Sequence, residues 1–256
     1  MKKTELQIIE ILTELKNDFG MLSLKSEFED EGASFEETTL LKNFADEVKT
    51  ELAVKIGGCS AIFDIQQTQK IGANSIIAPM IESEYALKKF IESVKSACLD
   101  IIPDLYINIE TLTGYKFLQD IINSKYFDKV NGLVLGRTDM TESMGENPDF
   151  KDSDKMLKIA KEISNSVLSK NKQFIIGGGI SSKSIDFLKS LNISKYETRK
   201  VIFHPDNLKT SGITAINKAL EFEILWLNYI DENIHNLTSN QRQRLNVIKS
   251  RFVSQV

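Results

Sequence analysis

Apolar positions along the chain switch repeatedly between a spacing of three or four residues and short continuous runs. Leu6, Ile9, Leu12 and Leu15 recur at helical spacing behind Thr4 and Gln7, which can form a capping box, so the chain opens on an amphipathic helix. Residues 21–24 form a short apolar run that predicts a strand. It ends in the charged cluster Lys25, Glu27, Glu29, Asp30 and Glu31, after which Ser34 and Glu37 offer a second capping box for a helix to about residue 48. A strand over 52–56 is broken by Gly57 and Gly58, and Ser60 can cap a helix carrying Ile62 and Ile65. SIIAPM precedes Pro79, and Ser83 opens a helix with Leu87, Phe90, Ile91 and Val94 on one face.

The alternation continues. LYINIE (105–110) and GLVLG (132–136) read as strands separated by a helical segment with Phe117, Leu118, Ile121 and Ile122. FIIGGG (174–179) and the stretch 196–203 supply the late strands, and helical patterns cover about 155–168, 184–188 and 213–230. Leu245, Val247, Ile248 and Phe252 mark one more helix after Asn236. Strands alternating with helices predict a parallel sheet, and near-continuously apolar strands predict burial on both faces. Seven strands are evident, which leaves a closed barrel and an open doubly wound sheet both in play. The 256 residues match the roughly 250 that eight β/α units need, and no linker or repeat divides the chain. The expectation is one domain over 1–256.

Composition narrows the class. Apolar residues at 41% supply a large core. A net charge of −4 with Lys and Glu interspersed provides no basic stripe for a phosphate backbone, so nucleic acid is not expected as a partner. No apolar run approaches the roughly 20 residues that span a bilayer, and the first residues lack the apolar core of a signal peptide. Cys59 and Cys98 are too few to staple a chain of this size. A cytoplasmic protein without membrane association is expected.

In parallel β/α folds ligands gather where strands end, so polar residues there carry most weight. Glu110 ends LYINIE, and Asp139 follows GLVLG in GRTDMTESMG, read as a loop. Two carboxylates at the mouths of consecutive strands can converge on one cation, and hard oxygen donors suit Mg²⁺ or Mn²⁺. The competing reading makes Glu110 a cap of the helix at Thr111 and Asp139 or Thr141 a cap of the next. Lys25, Glu27 and Glu29 alternate and can share an orientation at the mouth, or form a solvated acidic loop. The run Gly177, Gly178, Gly179 can cradle a phosphate or permit a tight turn. Arg199 can bind an anion or form a salt bridge within the barrel. His204 can reach the pocket or be structural, and His235 reads as a solvated surface group.

NIETLTGY and VNGLVLGRTDMTESMG, with VKIGGCSAIFDIQQTQKIGANSIIAPMIES, resemble the motifs of the HpcH/HpaI aldolase and citrate lyase family over about residues 52–145. The resemblance implies a TIM (β/α)8 barrel with an N-terminal helix and extra C-terminal helices. It implies metal ligation by Glu110 and Asp139, with Asn108 a polar neighbour of that site. Lys55 falls where many members use Arg to hold a pyruvate carboxylate. Arg137 and Thr138, in the second motif, are expected with Lys55 and Asn108 to contact substrate. True aldolases of the family place a catalytic His in the first-strand region. Here LKSEFEDEGASFEE has none, so Lys25, Glu27 and Glu29 are the replacements available.

The function expected is a divalent-metal-dependent carbon–carbon lyase or aldolase acting on a 2-oxo acid or related small carboxylate. The alternatives are a Schiff-base enzyme using Lys25 or Lys55 and a barrel that binds a ligand without turnover. Ile224, Leu225, Trp226, Leu227 and Ile230 offer more apolar surface than one helix face normally buries. The C-terminal helices, about 211–256, are therefore expected to contact another subunit of a homo-oligomer.

Overall fold

The computed structural model describes residues 2–98, 101–234 and 237–253, with side chains to residue 249. His235 lies outside the described residues. Eight strands close in sequence order: β1 (Met21–Glu27), β2 (Glu51–Lys55), β3 (Ser75–Ala78), β4 (Asp104–Ile109), β5 (Gly132–Gly136), β6 (Gln173–Gly177), β7 (Lys195–Glu197) and β8 (Val201–Phe203). Helices α1 (Lys3–Phe19), α2 (Phe35–Glu47), α3 (Ile62–Ile71) and α4 (Glu84–Ala97) alternate with the first strands, and the short α5 (Leu112–Lys116) and α6 (Leu118–Ile122) follow β4. After them come α7 (Arg137–Ser143), α8 (Asp154–Leu168), α9 (Ile185–Lys189), α10 (Gly212–Asn233) and α11 (Ser239–Val253).

Local chemistry starts several of these helices where the sequence predicts. Ser34 accepts from Glu37 N–H at 3.0 Å and Ser83 from Ala86 N–H at 3.1 Å, each satisfying a donor with no partner in its helix. The Thr4–Gln7 expectation is displaced by two residues. Helix α1 begins at Lys3, and the Glu5 carboxylate accepts from Lys2 N–H at 2.8 Å. Ala61, not Ser60, precedes α3.

The seven parallel strands are β1 to β7, but closure differs from the regular (β/α)8 plan. The stretch read as one late strand turns back at Thr198–Lys200 into two three-residue strands, and β8 runs antiparallel to both β7 and β1. No crossover helix separates β7 from β8. The reversal has two consequences for the site. It places the Arg199–Lys200 turn at the barrel mouth, where β1 to β7 end. It also sends the far end of β8 away from the mouth, so that His204 N–H donates to Gly20 O at 3.0 Å, just before β1 begins.

Side chains alternate across the strands, so the outward set packs under the helices and the inward set fills the barrel. Ala53, Ile77, Tyr106, Val134, Ile175 and Ile202 form the apolar interior layer. The next inward positions toward the mouth are Lys25, Glu27, Lys55, Asn108 and Glu197, so the apolar plug is a floor beneath a polar layer. Helix α10 packs against α1, and its Trp226, Leu227 and Ile230 are fully buried within the chain. Trp226 meets Phe44 edge-on at 6.2 Å. The apolar surplus on this helix is thus largely covered by the protomer itself. No described helix is long and apolar enough to cross a membrane.

Candidate active site

Glu110 stands immediately after β4 and is 1% exposed. Its Oε1 accepts from Met80 N–H at 2.9 Å, and its Oε2 accepts from Asn108 Nδ2 at 2.7 Å and faces Lys55 Nζ at 3.2 Å. The carboxylate is held from three sides and caps no helix. Thr111 caps α5 instead, accepting from Gly114 N–H at 3.0 Å. Gly136, ending β5, explains how Glu110 fits. A Cβ there would lie 2.7 Å from both Glu110 Cβ and Oε2, so the strand end must lack a side chain.

Asp139 projects from the first turn of α7, a helix where the sequence suggests a loop. It caps nothing, because Gly136 occupies the cap position and Thr141 Oγ1 donates back to Arg137 O. Asp139 is open to solvent at the mouth. Partial desolvation there, then the neighbouring Glu110 charge, raises its carboxyl above the ordinary carboxylate range despite the opposing effect of Lys55. Two carboxylates brought this close favour a shared proton or a cation.

The β1 cluster completes the layer. Lys25 Nζ lies 2.8 Å from Glu27 and 2.6 Å from Glu197, all three buried. Burial alone would raise Glu27, but Lys25, Arg199 and Lys55 together hold it down at about 2, firmly ionised. Lys55 Nζ reaches Glu29 Oε2 at 2.8 Å as well as Glu110. The carboxylates around both lysines outweigh burial and push each above the ordinary ammonium value. At the rim, Lys200 pairs with Glu31 at 2.5 Å and Arg199 with Asp30 at 2.9 Å. Burial lifts Glu31 to about 7, with Lys200 opposing and Glu27 adding to the rise.

The expected residues Lys25, Glu27, Glu29, Lys55, Asn108, Glu110 and Asp139 therefore meet at one end of the barrel. Thr138 stands exposed at the rim beside Gly178 and Gly179. Arg137 does not join them as a substrate contact. It is fully buried, and its guanidinium donates to Gly177 O, Gly178 O, Lys151 O, Asp152 Oδ1 and Ser184 Oγ, at 2.7–3.5 Å, above the Phe187 ring. Those bonds engage every N–H of the group. The glycine run is likewise filled by protein. Gly178 has φ +77°, and a Cβ there would lie 2.4 Å from Arg137 N, so this turn passes directly beneath the start of α7. His204 is at the opposite end, half-exposed, and accepts from Asp206 N–H.

Glu197, Glu31 and Lys200 are residues of the polar layer that the sequence reading does not single out, because the hairpin that delivers two of them is hidden inside one apparent strand. Counting Asp30 and Arg199 at the rim, seven carboxylates face four cations. Glu197 Oε2 and Asn108 Oδ1 are buried without a hydrogen-bond donor. Surplus negative charge and hard oxygen donors fit a divalent cation on Glu110 and Asp139. Among the described residues no three His, Cys, Asp or Glu side chains are arranged to hold an ion, so substrate and solvent would complete the shell, as is usual for Mg²⁺. Two cavities of about 600 and 760 Å³ lie elsewhere, on the outer wall between α4 and the α6 region. They contain none of this chemistry.

No family model and no curated protein matches the chain. Solved structures do. An HpcH/HpaI aldolase/citrate lyase family protein from Burkholderia cenocepacia J2315 superposes with a TM-score of 0.62 at 10% identity, over 76% of this chain and 83% of that one. The HpcH/HpaI aldolase from Desulfitobacterium hafniense DCB-2 gives 0.60 at 11%, over 75% and 82%, and the citrate synthase SbnG gives 0.60 at 16%, over 76% and 81%. The fold is that of the HpcH/HpaI aldolase and citrate lyase structures.

Proposed function

We propose that the chain is a divalent-metal-dependent carbon–carbon lyase or aldolase acting on a 2-oxo acid or related small carboxylate. The observation that carries this reading is the pair Glu110 and Asp139, joined at the mouth of consecutive strands beside a buried lysine. Glu110 and Asp139 would hold Mg²⁺ or Mn²⁺, which supplies Lewis-acid stabilisation of negative charge developing on a keto oxygen. The Met80 N–H and the Asn108 amide fix Glu110 for that task. Lys55 supplies a positive charge for the substrate carboxylate. As a point charge it attracts the carboxylate without the fixed two-pronged geometry of an arginine.

Of the two carboxylates expected to move a proton, Glu27 is locked in its ion pair with Lys25. Glu29, on the loop after β1 and partly exposed, pairs with Lys55 at 2.8 Å but is not held in the strand, and is the one we assign to proton transfer once released. The Schiff-base alternative needs a lysine with a depressed pKa, whereas Lys25 and Lys55 are both shifted upward. The test is exchange of the C3 protons of pyruvate and 2-oxobutyrate in D₂O, followed by proton NMR, which detects carbanion formation without knowledge of the second substrate. Exchange should depend on Mn²⁺ and vanish in Glu110→Gln. Metal binding without exchange on either acid would favour the non-catalytic barrel.

A further inference from the structure

Lys55 already holds a carboxylate. The residue is 5% exposed, and the closest partner of its ammonium is not Glu110 but Glu29 Oε2, at 2.8 Å against 3.2 Å. Glu29 comes from outside the barrel layer. Strand β1 ends at Glu27, Phe28 N–H donates to Lys55 O at 2.8 Å, and the chain turns at Gly32 (φ +62°) before Ala33 N–H returns to Glu27 O at 3.1 Å. The turn thus dips one side chain into the mouth. The contact is an ion pair without the alignment of a good hydrogen bond: Glu29 Oε2 is buried yet has no properly oriented donor. Such a partner is held by charge and can be exchanged for another anion.

A second set of contacts holds the turn down. Thr238 Oγ1 donates to Glu31 O at 3.1 Å, Asn240 Nδ2 donates to Asp30 O at 3.1 Å, and Arg199 pairs with Asp30. The start of α11 and the β7–β8 turn therefore clamp the segment that carries Glu29.

From this we infer that Glu29 is an internal ligand of Lys55, occupying the position a substrate carboxylate would take, and that the C-terminal clamp sets how tightly it competes. The inference rests on the proposed role of Lys55 and adds a regulator to that site. A carboxylate entering the mouth exchanges with Glu29, which frees the Glu29 side chain. The apparent affinity is then reduced by the fraction of molecules in which Glu29 remains seated. Asp139, Glu27 and Glu110 do not compete in this way, because each is fixed by its own strand or helix and not by a detachable turn.

Oxalate, a small dicarboxylate without a reactive carbon, serves as the probe. It is titrated calorimetrically into the full chain saturated with Mn²⁺, comparing wild type, Glu29→Gln, Asn240→Ala and Lys55→Met. Glu29→Gln should bind oxalate roughly tenfold more tightly, a figure expected if Glu29 is seated about nine-tenths of the time. Asn240→Ala touches only the exposed clamp, so it tests the device without altering the mouth, and it should tighten binding about two- to threefold. Lys55→Met should lose most of the binding. If Lys55→Met weakens oxalate while Glu29→Gln and Asn240→Ala match wild type, the internal-ligand inference is overturned and the substrate reading stands. If no variant and no wild-type sample binds oxalate, the reading of the site fails and the inference falls with it.

Discussion

Arg137 offers the sharpest test of how the mouth is built. Arg137→Met keeps the length and apolar stem of the side chain but removes the guanidinium. Gly177 O, Gly178 O and Lys151 O then lose their donor, and Asp152 loses its partner at 2.7 Å. Removing one member of a buried charge pair typically costs about 3–5 kcal/mol, because the polar groups left behind are neither paired nor hydrated. Part of that cost is relieved by the partial exposure of Asp152, which lets water reach its carboxylate. At roughly 2–4 °C per kcal/mol for a chain of this size, thermal unfolding monitored by circular dichroism should fall by about 6–20 °C. Affinity for Mn²⁺, measured well below the transition, should change little. The reverse pattern, an unchanged melting temperature with a lost ligand response, would show that Arg137 contacts substrate and refute its structural assignment.

Two further outcomes follow from the same geometry. Glu27 titrates near 2 in the folded chain against 4.5 ordinarily, so as pH falls the unfolded chain takes up its proton first. Stability should decline between about pH 4.5 and 2, and that limb should be shallower in Glu27→Gln, as read by urea unfolding at several pH values; equal slopes would remove the Lys25 pairing as the cause. Gly178→Ala places a side chain at positive φ and 2.4 Å from Arg137 N, for a combined cost of about 2–5 kcal/mol, and equal urea midpoints for variant and wild type would contradict it.

Much of this architecture is legible because burial on both faces leaves an unmistakable pattern. SIIAPM, LYINIE and GLVLG are apolar at nearly every position and become β3, β4 and β5. The alternation of Lys25 and Glu27 likewise survives, because strand β1 continues through Glu27 and keeps both side chains inward. What the pattern conceals is direction. Strands β7 and β8 are three residues each, too short for periodicity to separate, and the polar residues Thr198–Lys200 between them read equally as strand or turn. That one reversal moves His204 to the far end and brings Lys200 to the mouth. Arg137 shows a second limit. A polar residue at a strand end looks ready for a ligand, but nothing local reveals that three backbone carbonyls of other segments will engage its guanidinium. On α10 the pattern likewise does not reveal that the partners covering Trp226 and Ile230 belong to this same chain, whereas Ile224 and Leu225 stay partly exposed.

The claim on which the functional reading depends is that Glu110 and Asp139 together hold a divalent cation. Calorimetric titration of Mn²⁺ into wild type, Glu110→Gln and Asp139→Asn tests it directly, with circular dichroism confirming that each variant stays folded. The account predicts one site per chain in wild type and loss of that site in both variants, since no third protein carboxylate is arranged to compensate among the described residues. Mn²⁺ binding of unchanged affinity in both folded variants would contradict it.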